Sequence, residues 1–262
     1  MIVYIDIIPP KKGVINRIKS ATFGFPPIVS RESFLGCGYM SVSIYPMRKK
    51  LIKRTLESLL PKDCVAVPSE SFDFTLYGLK NVLSGCDELK ARLLLNFLKS
   101  ALTRVANGAK TRVLLIDKDG RAAPAAAELI PLCRVFVKTD RPENYGPCAE
   151  YCRLKYGEAP IISQKVTGLT AAFAPFGTDG FILPNSDTPI FSPVPGQGFC
   201  LKPAFADDFI LAKFPKRADK AVFSEAFFEN FCPDEILSAC PKSLINQGFT
   251  ADLNYFVNIF SA

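Results

Sequence analysis

The sequence has no histidine in its 262 residues, and that one absence removes several kinds of chemistry. Ser-His-Asp and Cys-His catalysis, His-ligated zinc and imidazole acid–base work all require the missing ring. Proton transfer would fall to Lys, Asp, Glu, Tyr or Cys. No window approaches the ~18 apolar residues of a membrane span. The opening MIVYIDIIPPKK is too short an apolar run for a secretory signal. No membrane partner and a cytoplasmic location are therefore expected. Internal repeats and low-complexity tracts are absent too.

What is present suits a packed protein. Hydrophobic residues make up 48% of the chain and charged residues 22%, which supports a sizeable core in one large or two small domains. The nine cysteines are odd in number and carry no secretory context, so they read as buried free thiols and not as a disulfide framework. Cys148 and Cys152 lie one helical turn apart, but two ligands do not close a metal site. Packing is the expected role, and no metal is expected. A net charge of +7 is compatible with an anionic ligand without demanding one.

The stretch from Arg112 to Ser163 organises the chain. RVLLID (112–117) is an apolar run of buried parallel-strand type, Ala122–Leu132 a small-residue helix, and RVFVKTD (134–140) a second strand. Glu143–Tyr156 is a second helix and PIIS (160–163) a third strand. Strands alternating with helices of this length imply a parallel sheet with right-handed crossovers.

Upstream, Met1–Ile8 reads as a strand, residues 11–36 as an irregular link, and 38–46 as a half-buried alternating strand. Residues 47–60 form an amphipathic helix and 64–68 a short strand. Arg48, Lys49, Lys50, Lys53 and Arg54 crowd the start of that helix, where cations are slightly unfavourable. With no interleaved aromatics, a solvated face is expected there, and nucleic-acid binding is not. Gly36-Cys37-Gly38 reads as a tight turn with an ordinary cysteine. Asp87–Ala106 carries a broad apolar stripe with Asn107-Gly108 as its stop, a connector helix between two halves. Downstream, 169–176 is a fourth strand, GTDG (177–180) a turn, and FILP (181–184) a hairpin partner or fifth strand. The Pro- and Gly-rich run 184–203 reads as an ordered loop. The tail reads as helices over 221–231, 234–240 and 252–260.

A long helix leads into a strand, a loop and a small-residue helix. A second strand then ends in a basic residue and Pro-Glu. Over about residues 86–180 this order resembles the C-terminal cofactor domain of the shikimate-dehydrogenase-like branch of Rossmann proteins. The resemblance implies NAD(P) as cofactor, with VFVKTDRPENY similar to the segment that holds the ribose or the 2′-phosphate of NADP. Thr139 and Arg141 would take that role. The chain departs from this pattern at the phosphate turn. In place of a glycine-rich loop it has Asp117-Lys118-Asp119-Gly120-Arg121, one glycine and two carboxylates. Lys118, Gly120 and Arg121 remain the candidate contacts there, while Asp119 reads as the helix cap with Pro124 in the first turn. The branch's catalytic lysine motif, Asn-x-Thr-x-Pro, has no match, so no catalytic residue carries over.

The expected fold is α/β. A small α/β N-terminal unit (1–86) and a connector helix (87–110) precede a Rossmann-like parallel sheet (111–262), with C-terminal helices packing back. Three functions stay open. The favoured one is a degenerate Rossmann-like protein binding a nucleotide or small anionic metabolite without ordinary dehydrogenase chemistry. The others are an atypical NAD(P)-dependent oxidoreductase and a protein- or nucleic-acid-binding module using the basic helix. The ligand site is placed between 117–121, 138–141 and 175–180, at C-terminal strand ends where strand order should reverse.

Overall fold

β-Branched runs near the N-terminus begin a first sheet. The computed structural model describes residues 1–9, 12, 13, 16, 24–70, 72–77, 79, 81–83, 85–105, 111–163, 166–178, 181, 187–203, 205–208 and 214–261. Strands β1 (Ile2–Ile7), β2 (Ile28–Phe34), β3 (Cys37–Ile44) and β4 (Val65–Pro68) form a sheet in the order β2-β3-β1-β4. β3 and β4 flank β1 in parallel, and β2 runs antiparallel along the outer side of β3. The alternation in β3 sends Val42 and Ile44 to one face, where Val3 and Ile5 join them. Ile52 and Leu56 of helix α1 (Lys49–Leu59) cover that face.

The opposite face is covered as well. Helix α5 (Lys220–Phe231) lays Phe223 against Tyr4 and Tyr39 at ring distances of 5.7 and 5.2 Å, and Phe227 against Phe34 at 4.8 Å. β3 is thus buried on both sides at Tyr39, where the sequence pattern suggests a solvated face. Asp219 caps α5 by accepting from the Ala221 and Val222 amides.

The second sheet is wholly parallel. β5 (Arg112–Ile116), β6 (Arg134–Lys138), β7 (Ile161–Ile162), β8 (Ala171–Phe173) and β9 (Ile190–Phe191) stand in the order β7-β6-β5-β8-β9. The near-continuous apolar strands suit burial on both faces. Helix α3 (Ala123–Leu129) links β5 to β6, and α4 (Gly146–Tyr156), entered by a 3₁₀ turn at Pro142–Tyr145, links β6 to β7. On one face Phe97 of helix α2 (Asp87–Arg104) and Phe256 of helix α7 (Leu253–Ser261) close on Phe191 at 6.3 and 4.9 Å. The other face gathers Leu114, Ile116, Ala172 and Ala174 under Val166, Leu169 and Phe181. None of these three covering residues is helical.

The chain divides into two compact units, Met1–Cys86 with Ile210–Leu237, and Asp87–Phe209 with Ser238–Ala262. This corrects the expected boundaries in two places. α2 belongs to the second unit and is not a separate connector, because its apolar stripe is spent on that unit's core. Residues 210–237 return to the first unit, because the Phe face of α5 fills the uncovered side of β1 and β3. The C-terminal helices do pack back, but each within its own unit.

Four strands lie where the sequence reading placed none. β2 lies inside the expected irregular link, β9 inside the expected loop 184–203, and the hairpin β10 (Ser243–Asn246) and β11 (Phe249–Asp252) in the stretch between the expected helices 234–240 and 252–260, overlapping the latter only at Asp252. Short helix α6 (Asp234–Leu237) precedes that hairpin. The Asn107-Gly108 stop and the FILP segment beyond Phe181 lie outside the described residues; Phe181 itself is in no strand. All nine cysteines are free, with Cys64, Cys86, Cys133 and Cys152 buried and Cys232 exposed. Among the described residues no helix is long and apolar enough to cross a membrane.

Candidate functional site

The order β7-β6-β5-β8-β9 reverses between β5 and β8, since the chain steps outward one way through β6 and β7 and the other way through β9. The crevice outside the C-terminal ends of two such strands is where ligands enter open α/β sheets. Asp117 follows β5 directly, Lys138 ends β6, and Ala174–Thr178 follows β8. The three expected segments therefore all leave the same edge of the sheet.

Asp117 is the hub of this edge. It is 2% exposed, and its carboxylate accepts from the Arg121 amide at 3.1 Å, the Ala122 amide at 2.7 Å and the Tyr145 hydroxyl at 2.6 Å. Burial, and then the hydrogen bond to Asp117, push the Tyr145 phenol well above its ordinary range, so it remains a donor. The amides at the entrance of α3 are the ones that hold a diphosphate in a glycine-rich turn. Here an internal carboxylate takes them. The expectation that Asp119 caps α3 is corrected accordingly. The residue preceding the helix, Ala122, makes no side-chain cap, and Asp119 is solvent-exposed, 3.8 Å from Arg121. Pro124 does sit in the first turn.

The remaining candidates separate into buried and open groups. Gly120 is buried at φ +72°, and a Cβ there would lie 2.7 Å from Asn144 Nδ2 and 3.0 Å from Arg141 Cβ. Its role is to let the 3₁₀ turn approach. Thr139 is 3% exposed; its hydroxyl donates to the Lys118 carbonyl at 3.3 Å and accepts from the Arg141 amide at 3.0 Å. The Asn144 side chain closes the loop by donating to the Asp119 carbonyl at 3.1 Å. The Lys118, Arg121 and Arg141 side chains are exposed, with Arg121 3.8 Å from Asp119 and Arg141 3.8 Å from Glu143. The Arg121 guanidinium lies 3.9 Å from the centre of the Phe176 ring and the Lys138 ammonium 4.4 Å from that of Phe181, so cations meet aromatic faces along the β8 side. The edge can attract an anion through these side chains, while the backbone cradle of a dinucleotide site is already filled.

Among the described residues no three Cys, Asp or Glu side chains gather as a ligand set. Cys148 and Cys152 are 4.0 Å apart, and Cys148 donates to the Ala123 carbonyl at 3.2 Å, so this thiol helps α4 sit on α3. Burial, and then its neighbour, push the Cys148 thiol up to about 11, the reverse of an activated nucleophile.

No family model matches the chain, and no curated protein sequence matches it. Among solved structures it is similar to L-tryptophan dehydrogenase from Nostoc punctiforme and to the ligand-free form of 5-ketofructose reductase of Gluconobacter sp. strain CHM43. The first likeness has 12% identity and a TM-score of 0.24; it covers 66% of this chain and only 54%, about half, of the dehydrogenase. The second has 12% identity and a TM-score of 0.31, over 99% of this chain and 97% of the reductase. Likenesses of this strength carry no argument about activity. The α/β reading rests on the strand order.

Sequence reasoning did not find a cavity of about 760 Å³ at the β9 edge of the second unit. It is walled by residues before and after β9, by the β10–β11 turn and by α7, with Phe199, Phe249 and Tyr255 among its aromatics. These walls come from segments about sixty positions apart, and no local pattern joins them. The one available signal was the pair of apolar runs around Gln247-Gly248, a two-residue turn.

Proposed function

We propose that this protein is a degenerate Rossmann-like binding protein. It would take a small anionic metabolite or a nucleotide at the C-terminal ends of β5, β6 and β8, without ordinary dehydrogenase chemistry. The observation that carries the reading is Asp117. By taking the Arg121 and Ala122 amides just ahead of α3 with its own carboxylate, the chain keeps the sheet and its switch point but gives up those two donors to a diphosphate. Lys118, Arg121 and Arg141, open around the same edge, supply the attraction for a single anionic group. Gly120 and Thr139 hold the loop that presents them. The resemblance of VFVKTDRPENY to an NADP-binding segment supports the same edge, although the Thr139 hydroxyl is engaged within the loop.

The test is thermal unfolding with NAD, NADP, ATP, S-adenosylmethionine and inorganic phosphate, since a ligand at 100-fold its Kd adds about 2.7 kcal/mol. The expected result is stabilisation by a compact anion such as phosphate or ATP, lost in the Arg121→Ala, Arg141→Ala double variant. Tight binding of NAD or NADP with hydride transfer would replace this reading with that of an atypical oxidoreductase. No stabilisation by any of them at millimolar concentration would remove both.

A further inference from the structure

We infer that the outer face of helix α4 is an interface between two copies of this chain, joined as a weak two-fold dimer with the two helices antiparallel. The face belongs to the second unit, and every residue from 142 to 163 is described.

The first observation is apolar surface where polar side chains belong. A helix packed on a sheet ordinarily turns charged and polar residues outward. On α4 the inward residue is Cys152, which is fully buried. Leu154 stands about 200° round the helix from it, and it is 82% exposed. Tyr151, one turn back, is 48% exposed, and the partly open Tyr156 ring lies 6.4 Å from it. After residues 157–160 the chain enters β7, the edge strand of the sheet, where Ile161 and Ile162 are each 41% exposed. Together these five side chains leave on the order of 500 Å² in water, as much as the largest patch on a typical monomer. Two copies face to face would cover about 1,000 Å², the lower bound of a specific interface. The dimer is weak for that reason.

The second observation is charge, and it selects the occupant. A two-fold contact needs a patch that complements itself. Glu150 and Arg153 are both exposed and lie three positions apart, on one flank of the apolar stripe. Among the described residues neither makes an ion pair within the chain. Lys155, on the opposite flank, is already engaged: it donates to the Tyr151 hydroxyl at 2.7 Å and lies over the Tyr151 and Tyr156 rings. When a second α4 runs antiparallel across the first, each flank meets its own reverse. Glu150 then faces Arg153 of the second copy, and the pair occurs twice.

The inference is independent of the strand-end reading, because none of Lys118, Arg121 and Arg141 lies on α4. Sedimentation equilibrium of the full chain tests it, with circular dichroism as the check on folding. The mass should rise from one copy toward two between about 10 µM and about 1 mM. Leu154→Ser, Glu150→Arg and Arg153→Glu should each raise the dissociation constant about tenfold or more, and all three positions are exposed enough for the fold to survive. An equimolar mixture of Glu150→Arg with Arg153→Glu should regain the parental association, since every cross pair is again of opposite sign. The inference is overturned by a one-copy mass at every concentration, by parental association of Leu154→Ser, or by a mixture that associates no better than its components.

Discussion

Asp117 satisfies three donors, whereas Asp119, two residues on, satisfies none of the helix. Removing the Asp117 carboxylate strands the Tyr145 hydroxyl and two loop amides away from water, so Asp117→Ala should cost about 3 kcal/mol. Asp119→Ala should stay within about 0.5 kcal/mol, as expected for an exposed side chain. Urea midpoints of the two variants decide between them; equal losses would restore Asp119 as the cap. Glu128 poses a related test on α3. It accepts from Arg92 at 2.5 Å and Lys99 at 2.6 Å, tying α3 to α2. Burial alone would raise its carboxyl, but the hydrogen bonds from Lys99 and Arg92 outweigh burial and leave it below the usual carboxylate range. A folded value below the unfolded one contributes stability above about pH 4.3, lost as pH falls through the folded value. Glu128→Gln should therefore cost about 1–2 kcal/mol at neutral pH, given its partial exposure. The gap between variant and parent should close in denaturant titrations run at acid pH. A gap independent of pH would mean that packing, not charge, is what the variant loses.

At the scale of elements, helix α1 tests whether the basic cluster is more than a solvated face. Lys49, Lys50 and Lys53 are exposed, and among the described residues the one ion pair they make is Lys53–Glu57 at 3.9 Å. No acidic side chain stands in the first turn and no side chain caps it. Lys49→Glu with Lys50→Glu should then stabilise the protein by about 0.3–1 kcal/mol, since anions suit a helix N-terminus. Circular dichroism melts measure it, and a clear loss of stability would show that the lysines hold something in place. The elements legible in sequence were those with a one-sided, alternating or wholly apolar pattern, among them β1, β3, α1, α2, β5, α3, β6, α4, β8 and α5. β2 escaped because Ile28–Ser33 is exposed throughout, so burial imposes no period on it. β9 escaped because two residues between prolines carry no pattern; its parallel pairing with β8 is set by the sheet. The β10–β11 hairpin did have a local sign, with Gln247 at φ +47° and Gly248 at φ +86° as a type I′ turn. The hairpin falls between the expected helices 234–240 and 252–260, in a stretch to which the sequence reading assigns no element. In the site, the edge of the sheet was legible from strand order. The capping residue was not, because Asp117 and Asp119 are both placed to reach the start of α3, and only the buried Tyr145 decides between them.

At the scale of the molecule, each unit buries tyrosines whose phenols are held above their ordinary range. In the first unit burial, and then Asp6, raise Tyr4, while burial and its hydrogen bond to Glu32 raise Tyr39. In the second, burial and Asp117 raise Tyr145. A phenol whose folded value lies above the unfolded one contributes stability in full below about pH 10 and loses it as pH climbs toward the folded value. Both units should therefore fail on the alkaline side. Because Tyr4, Tyr39 and Tyr145 hold their protons more tightly while packed, the tyrosinate absorbance of these three should arrive together with loss of far-UV circular dichroism. Tyr39→Phe, which keeps the ring against Phe223 and Phe227 and removes the proton, should move that loss to higher pH. The contrary result is a full tyrosinate signal from all eight tyrosines near pH 10 in a protein that still shows its native dichroism. That outcome would mean that water reaches the phenols under α5 and beside Asp117. It would also withdraw the sealed strand end on which the single-anion reading depends.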